Sequence, residues 1–75
     1  MSITVKFFAS LREQTGHDSI DITGAGTVLE AWQQATGEAV LPASTLCSVN
    51  MDYATPEQNV KDGDEVAFFP PVTGG

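Results

Sequence analysis

Two apolar periods run along the chain, and each marks an element. From Ile3 to Phe8, Ile3, Val5 and Phe7 alternate with Thr4, Lys6 and Phe8, the period of two expected of a strand with one buried face. Residues 9–14 are polar apart from Leu11 and suit a single helical turn or a loop leading to Gly16. Asp18 to Thr23 alternates again around Ile20 and Ile22, which predicts a second strand forming a hairpin with the first. Gly24, Ala25 and Gly26 break that pattern. Thr27 followed by Glu30 is a capping-box sequence at a helix start. Val28, Leu29, Trp32 and Ala35 then recur at near-helical spacing, so an apolar stripe that includes Trp32 should face a sheet while Glu30, Gln33 and Gln34 face water. Gly37 closes the helix as its C-cap.

Residues 38–45 read as a loop containing Pro42, and Leu46 to Asn50 as a short third strand. Met51 to Lys61 shows no regular period and is expected to be irregular, with Val60 tucked beneath it. Asp62, Gly63 and Asp64 form a tight turn. Glu65 to Phe69 is the last strand. It must stop at Pro70 and Pro71, which fix φ and remove two backbone donors.

The order strand, strand, helix, strand, irregular segment, strand predicts an α+β chain: a mixed sheet with one main helix packed on one face. That is the β-grasp, or ubiquitin-like, architecture. Right-handed crossover is expected to place the third element beside the first hairpin and the C-terminal strand next to the first strand, ending at the sheet margin. Residues 1–75 then form a single domain from which 70–75 project as a flexible Gly-Gly tail.

Composition narrows the function. A chain of 75 residues has room for a compact core but not for an elaborate enclosed active site. Ten acidic against three basic residues give a net charge of −7, which disfavours nucleic acid and anionic membrane surfaces and favours partners with a basic docking face. Cys47 is the only cysteine and His17 the only histidine, so neither a disulfide nor a metal-ligand cluster is expected. Cys47 reads as a small buried strand residue with nothing nearby to activate its thiol. Asp62, Asp64 and Glu65 are explained by turn chemistry, since the calcium-loop pattern is absent. With no apolar leader or spanning stretch, a cytoplasmic protein is expected.

The candidate site is the end of the chain. Phe69 is large enough to anchor the segment on a partner. Beyond Pro70 and Pro71, Val72 and Thr73 are stiff at χ1, and Gly74 and Gly75 carry no side chain, so the terminus is thin enough to enter a narrow channel. Extended, the six residues from Pro70 reach roughly 20 Å. A carboxylate is a poor electrophile, and a terminal glycine offers the least hindrance to its activation and attack.

The ending DGDEVAFFPPVTGG, together with the opening VKFFASLRE, resembles the family of molybdopterin synthase small subunits, the sulfur carriers called MoaD. The resemblance covers both ends and the order of elements between them; from about Gly37 to Asn59 only Val49 and Asn50 match. It implies a protein that does no chemistry alone. Gly75 would be adenylated by a ubiquitin-activating-like adenylyltransferase that consumes ATP, and the transient acyl-adenylate would then be converted to a thiocarboxylate with sulfur from a donor protein. Gly74, Thr73 and Val72 would carry it into the large synthase subunit, where the sulfur passes to cyclic pyranopterin monophosphate. Phe69 would be the main anchor, with Pro70, Pro71, Arg12 and Tyr53 as further partner contacts, and no metal or permanently bound cofactor is implied. The rival readings are a thiazole-forming carrier of thiamine synthesis, a ubiquitin-like modifier that acylates lysines, and a binding module with an inert tail. The FFPP run favours the molybdopterin pathway.

Overall fold

Alternation at the start of the chain becomes β1 (Ile3–Phe7), in which Ile3, Val5 and Phe7 are buried and Thr4 and Lys6 are half-buried. A computed structural model describes residues 2–71. After β1 come α1 (Ser10–Thr15), β2 (Ser19–Ile22), α2 (Val28–Thr36), β3 (Leu46–Val49), β4 (Asp52–Ala54) and β5 (Glu65–Phe69). The strands form one mixed sheet in the order β2-β1-β5-β3-β4. β5 runs parallel to β1 and every other pairing is antiparallel. This is the expected ubiquitin-like fold, with α2 as the main helix.

The capping box at α2 forms as read, with one difference. Thr27 Oγ1 accepts from the Glu30 N–H at 3.2 Å, while the Glu30 carboxylate accepts from the N–H of Gly26, one residue earlier than usual, at 2.6 Å. The next free donors of that helix end, the N–H groups of Val28 and Leu29, find the carbonyls of Gln58 and Pro56. The segment before β5 therefore caps α2, and its Val60 is buried beneath. Gly37 ends the helix at φ 77°, its N–H donating to the Gln33 carbonyl.

The core lies between α2 and one face of the sheet. Its centre is aromatic: the ring of Trp32 stands edge-on to Phe68 at 5.1 Å and to Phe7 at 6.0 Å, and Phe7 stacks on Phe68 at 6.0 Å. The Trp32 Nε1–H donates to the Val40 carbonyl at 3.2 Å, which satisfies the indole and ties the following loop to the helix. Trp32 is a core residue, as its place on the stripe predicted.

Two expectations need correction. Residues 52–54 are not irregular but form β4, paired with β3 through Ser48 and Tyr53. The turn between them holds Asn50 at φ 51° and Met51 at φ 73°, the double left-handed geometry of a two-residue hairpin. Methionine is a poor marker for such a turn, and Asp-Tyr-Ala is a weak strand sequence, so the hairpin left no local signal. The third strand does not lie beside the first hairpin, because β5 stands between β3 and β1. β5 is the central strand and lies beside β1, as the apolar character of both strands predicts. Between β1 and β2 the helical alternative for residues 9–14 is the one that forms, as α1, entered through Ala9 at φ 54° and anchored by the buried Leu11.

The start of β5 is held by a polar clamp. Asn50 Nδ2 donates to Asp64 Oδ1 at 3.0 Å, Asn50 Oδ1 accepts from the Glu65 N–H at 2.9 Å, and Asp64 Oδ2 accepts from the Lys61 N–H at 3.0 Å. The Asn50 hydrogen bond, seconded by the Lys61 backbone, holds the Asp64 carboxyl below its ordinary pKa. A carboxyl whose folded pKa is lowered contributes stability above its unfolded pKa and loses it as pH falls through the folded value. Wild type and Asp64→Asn are therefore expected to differ in urea midpoint at neutral pH and to converge in acid. An unchanged difference down to acid pH would show that the charge of Asp64 contributes nothing.

Candidate functional site

The strand register places the second face of the sheet opposite α2. Ser19, Lys6, Ala67, Ser48 and Tyr53 form one row across it, and Asp21, Thr4 and Glu65 form another. Phe69 pairs with Leu46 at the end from which the chain leaves the sheet. The charged rows are lightly tied: Lys6 Nζ lies 3.2 Å from Glu65 Oε1 and Thr4 Oγ1 donates to Asp21 at 3.1 Å. Both groups of the ion pair are well solvated, so it orders side chains more than it stabilises them.

Alternation within β5 separates two adjacent phenylalanines. Phe68 is fully buried in the core, whereas Phe69 is half-buried on the opposite face. Tyr53, 78% exposed, brings its ring to 6.0 Å from that of Phe69 at an interplanar angle of 53°. With Ser48 and Met51 they line an open groove of about 210 Å³. Met51 is 88% exposed, so this end of the face shows apolar surface that nothing among the described residues covers. Uncovered apolar surface rimmed by polar groups makes this end of the face the candidate docking surface.

The structure thus joins two of the predicted partner-binding residues, Phe69 and Tyr53, although they lie far apart in sequence. Pro70, half-buried, and Pro71, exposed, follow directly from Phe69. Arg12 stands elsewhere, on α1, its Nε 3.4 Å from Asp18 Oδ1 and both side chains largely exposed. Val72, Thr73, Gly74 and Gly75, on which the predicted chemistry falls, lie outside the described residues. Sequence reading missed Met51 and Leu46 as neighbours of Phe69. Only the pairing of β3 with β4 and β5 reveals them, and no sequence motif marks them.

Cys47 faces the core, and its thiol donates to the Ala54 carbonyl at 3.1 Å. Burial pushes its pKa up and the nearby Glu57 charge adds to the effect, so the thiolate is suppressed and the residue is a packing element. Among the described residues, no three His, Cys, Asp or Glu side chains converge to hold a metal ion, and no helix is long and apolar enough to cross a membrane.

Comparison with known proteins places this architecture. The molybdopterin synthase sulfur carrier subunit of Escherichia coli (strain K12) is 38% identical over 80 residues, covering 97% of this chain and 99% of that protein. The subunit of the same name from Haemophilus influenzae is 36% identical over 80 residues, with the same coverage of 97% and 99%. Among solved structures, SAMP1 from Haloferax volcanii superposes with a TM-score of 0.79 at 28% identity, covering 100% of both chains. The model of the ThiS family matches residues 5–75, a span that includes every strand but the first two residues of β1, and the chain belongs to that family.

Proposed function

We propose that this chain is the sulfur carrier subunit of a molybdopterin synthase, a single ubiquitin-like domain over residues 1–75 that uses 70–75 as its delivering tail. The observation that carries the reading is the split of Phe68 and Phe69 at the end of the central strand. One ring locks β5 into the core; the other lies on an uncovered apolar face immediately before the prolines. A partner that takes the tail must therefore pass Phe69 and Tyr53. Near-complete coverage of carriers bearing that name, at 36% and 38% identity, supports the molybdopterin pathway over a thiazole-forming one.

In this reading the Gly75 carboxylate attacks ATP bound to an adenylyltransferase and releases pyrophosphate; the terminal sulfur of a donor protein's persulfide then displaces AMP, and a thiol reductant cleaves the resulting acyl disulfide to leave a thiocarboxylate and the donor's thiol. The charged tail then enters the large synthase subunit and delivers sulfur to cyclic pyranopterin monophosphate, with the catalytic side chains supplied by that subunit. The carrier consumes ATP through its activating partner and keeps no cofactor, and a cytoplasmic setting suits both partners. Handover between two proteins calls for a modest, reversible interface, which a small apolar patch on an acidic chain provides.

Intact mass of the chain after incubation with ATP, an activating enzyme and a sulfur donor tests this. The expected gain is the difference between sulfur and oxygen, followed by its loss on addition of the large subunit and cyclic pyranopterin monophosphate. No gain with a competent activating enzyme would refute the carrier reading. Adducts on lysines of other proteins would instead support a modifier, the reading favoured by the likeness to SAMP1. Phe69→Ala is expected to weaken binding to the large subunit by at least about thirtyfold, the scale of an aromatic hot spot, with little change in unfolding midpoint. Calorimetric titration showing binding within about threefold of wild type would remove Phe69 as the anchor.

A further inference from the structure

A second concavity lies at the same end of the molecule as the tail exit, away from the groove beside Phe69. Its volume is about 310 Å³, and its lining includes Gln14, His17, Trp32, Glu38, Val40 and Pro42. The sheet register fixes its position. β1 and β5 are parallel and end together at Phe7 and Phe68, β2 starts opposite Lys6, and β3 starts opposite Phe69. The residues before β2 and β3, and the Trp32 ring packed on Phe7 and Phe68, therefore gather at the end where the chain leaves for Pro70.

The lining has a defined chemistry. Trp32 Nε1 is already bonded to the Val40 carbonyl and the Thr36 hydroxyl to the Trp32 carbonyl. Among the described residues the side chains of Gln14, His17 and Glu38 have no recorded hydrogen-bond or ion-pair partner. Ala35, Val40 and Pro42 supply apolar wall. Val40 is 76% exposed, an apolar side chain left at the rim. Glu38 is the only formally charged residue among those lining the cleft, Glu13 precedes the lining residue Gln14 in sequence, and Arg12 on α1 is engaged by Asp18. The site is thus negative, as is the whole chain at −7.

We infer that this cleft receives an arginine side chain from the large synthase subunit, as a second docking point beside the tail. The inference rests on the carrier reading above and deepens it. Arginine suits the lining better than lysine does. Its apolar stem fits against Val40, Pro42 and Ala35, and its planar fork offers donors to the Glu38 carboxylate and the Gln14 amide oxygen together, which a point charge cannot match. A charged contact at the rim also steers a basic partner toward the end that carries the tail.

The test uses the full chain and the large subunit. The Glu38 side chain makes no hydrogen bond or ion pair among the described residues, so Glu38→Gln and Glu38→Lys should fold as wild type, which the unfolding midpoint checks. Glu38→Lys is expected to weaken the complex by at least about tenfold and Glu38→Gln by a smaller factor, and a chain lacking Gly74 and Gly75 should show the same ratio between Glu38 and Glu38→Lys, since the cleft contact is separate from the tail. In parallel, titration of labelled chain with N-acetylargininamide should shift the Trp32 indole and the Glu38 and Thr36 amides, with the shifts lost in Glu38→Gln. Binding of Glu38→Lys within about twofold of wild type, or probe shifts that are absent or indifferent to Glu38, would overturn the inference while leaving the carrier reading intact. Failure of the wild-type chain to bind the large subunit at all would overturn both.

Discussion

A chain lacking Gly75 is expected to gain sulfur at least about a hundredfold more slowly than wild type when incubated with ATP, an activating enzyme and a sulfur donor. The truncated chain still ends in a glycine carboxylate, that of Gly74, so the chemistry of the terminal group is unchanged and only its reach differs. One residue of extended chain spans about 3.3–3.6 Å, and a misplacement of about 1 Å at a reacting centre already costs on the order of a hundredfold. The rate of mass gain should therefore fall by at least about a hundredfold. The unfolding midpoint should stay where it is, because the deletion removes one glycine, which has no side chain to bury. Restoring the length with Gly74→Ala in the full chain separates reach from slimness: a methyl group there should slow the reaction without abolishing it. Mass gain by the truncated chain at the wild-type rate would mean that the terminal residue is not the acceptor.

Phe68→Ala carries the largest expected effect on stability. Phe68 is fully buried on the central strand and touches both other aromatic rings of the core, Phe7 and Trp32. Phe→Ala in a packed core costs about 3–5 kcal/mol, the lost transfer energy plus the cavity left behind. Small domains have about 5–15 kcal/mol in total, so most of the stability of this chain should go. Urea unfolding should show the midpoint falling with little change in slope. A loss below about 1 kcal/mol would mean that Trp32 and Phe7 collapse into the space, and the aromatic centre would not be the keystone described above. Set beside Phe69→Ala, the pair separates the two roles of the FF step: one ring for the fold, the next for the partner.

Much of this was readable in the residues. The alternation of Ile3, Val5 and Phe7, the Thr27 and Glu30 capping box, the Trp32 stripe, the Gly37 cap and the Asp62-Gly63-Asp64 turn are local signals, each set by a backbone period or a hydrogen bond between near neighbours, and each gave the element it implied. The separation of Phe68 from Phe69 also follows from the strand period alone. The order of these elements was enough to name the ubiquitin-like architecture.

What local pattern could not carry was anything made by residues distant in sequence. β4 exists because β3 offers it an edge and because Asn50 and Met51 accept a left-handed turn; nothing in Asp52, Tyr53 and Ala54 demands extension. The site has the same character. Tyr53 reaches Phe69 only because β3 pairs with β4 on one side and with β5 on the other, and the cleft beside Trp32 forms only where α1, α2 and the loop after it meet. Periodicity and capping are decided within about one turn of chain, so the sequence by itself determined every element except β4, the inward face of those elements and the thin terminus. The place of β3 and β4 in the strand order, and the surfaces a partner would meet, depend on which distant segments bury one another, and only the tertiary structure decided those.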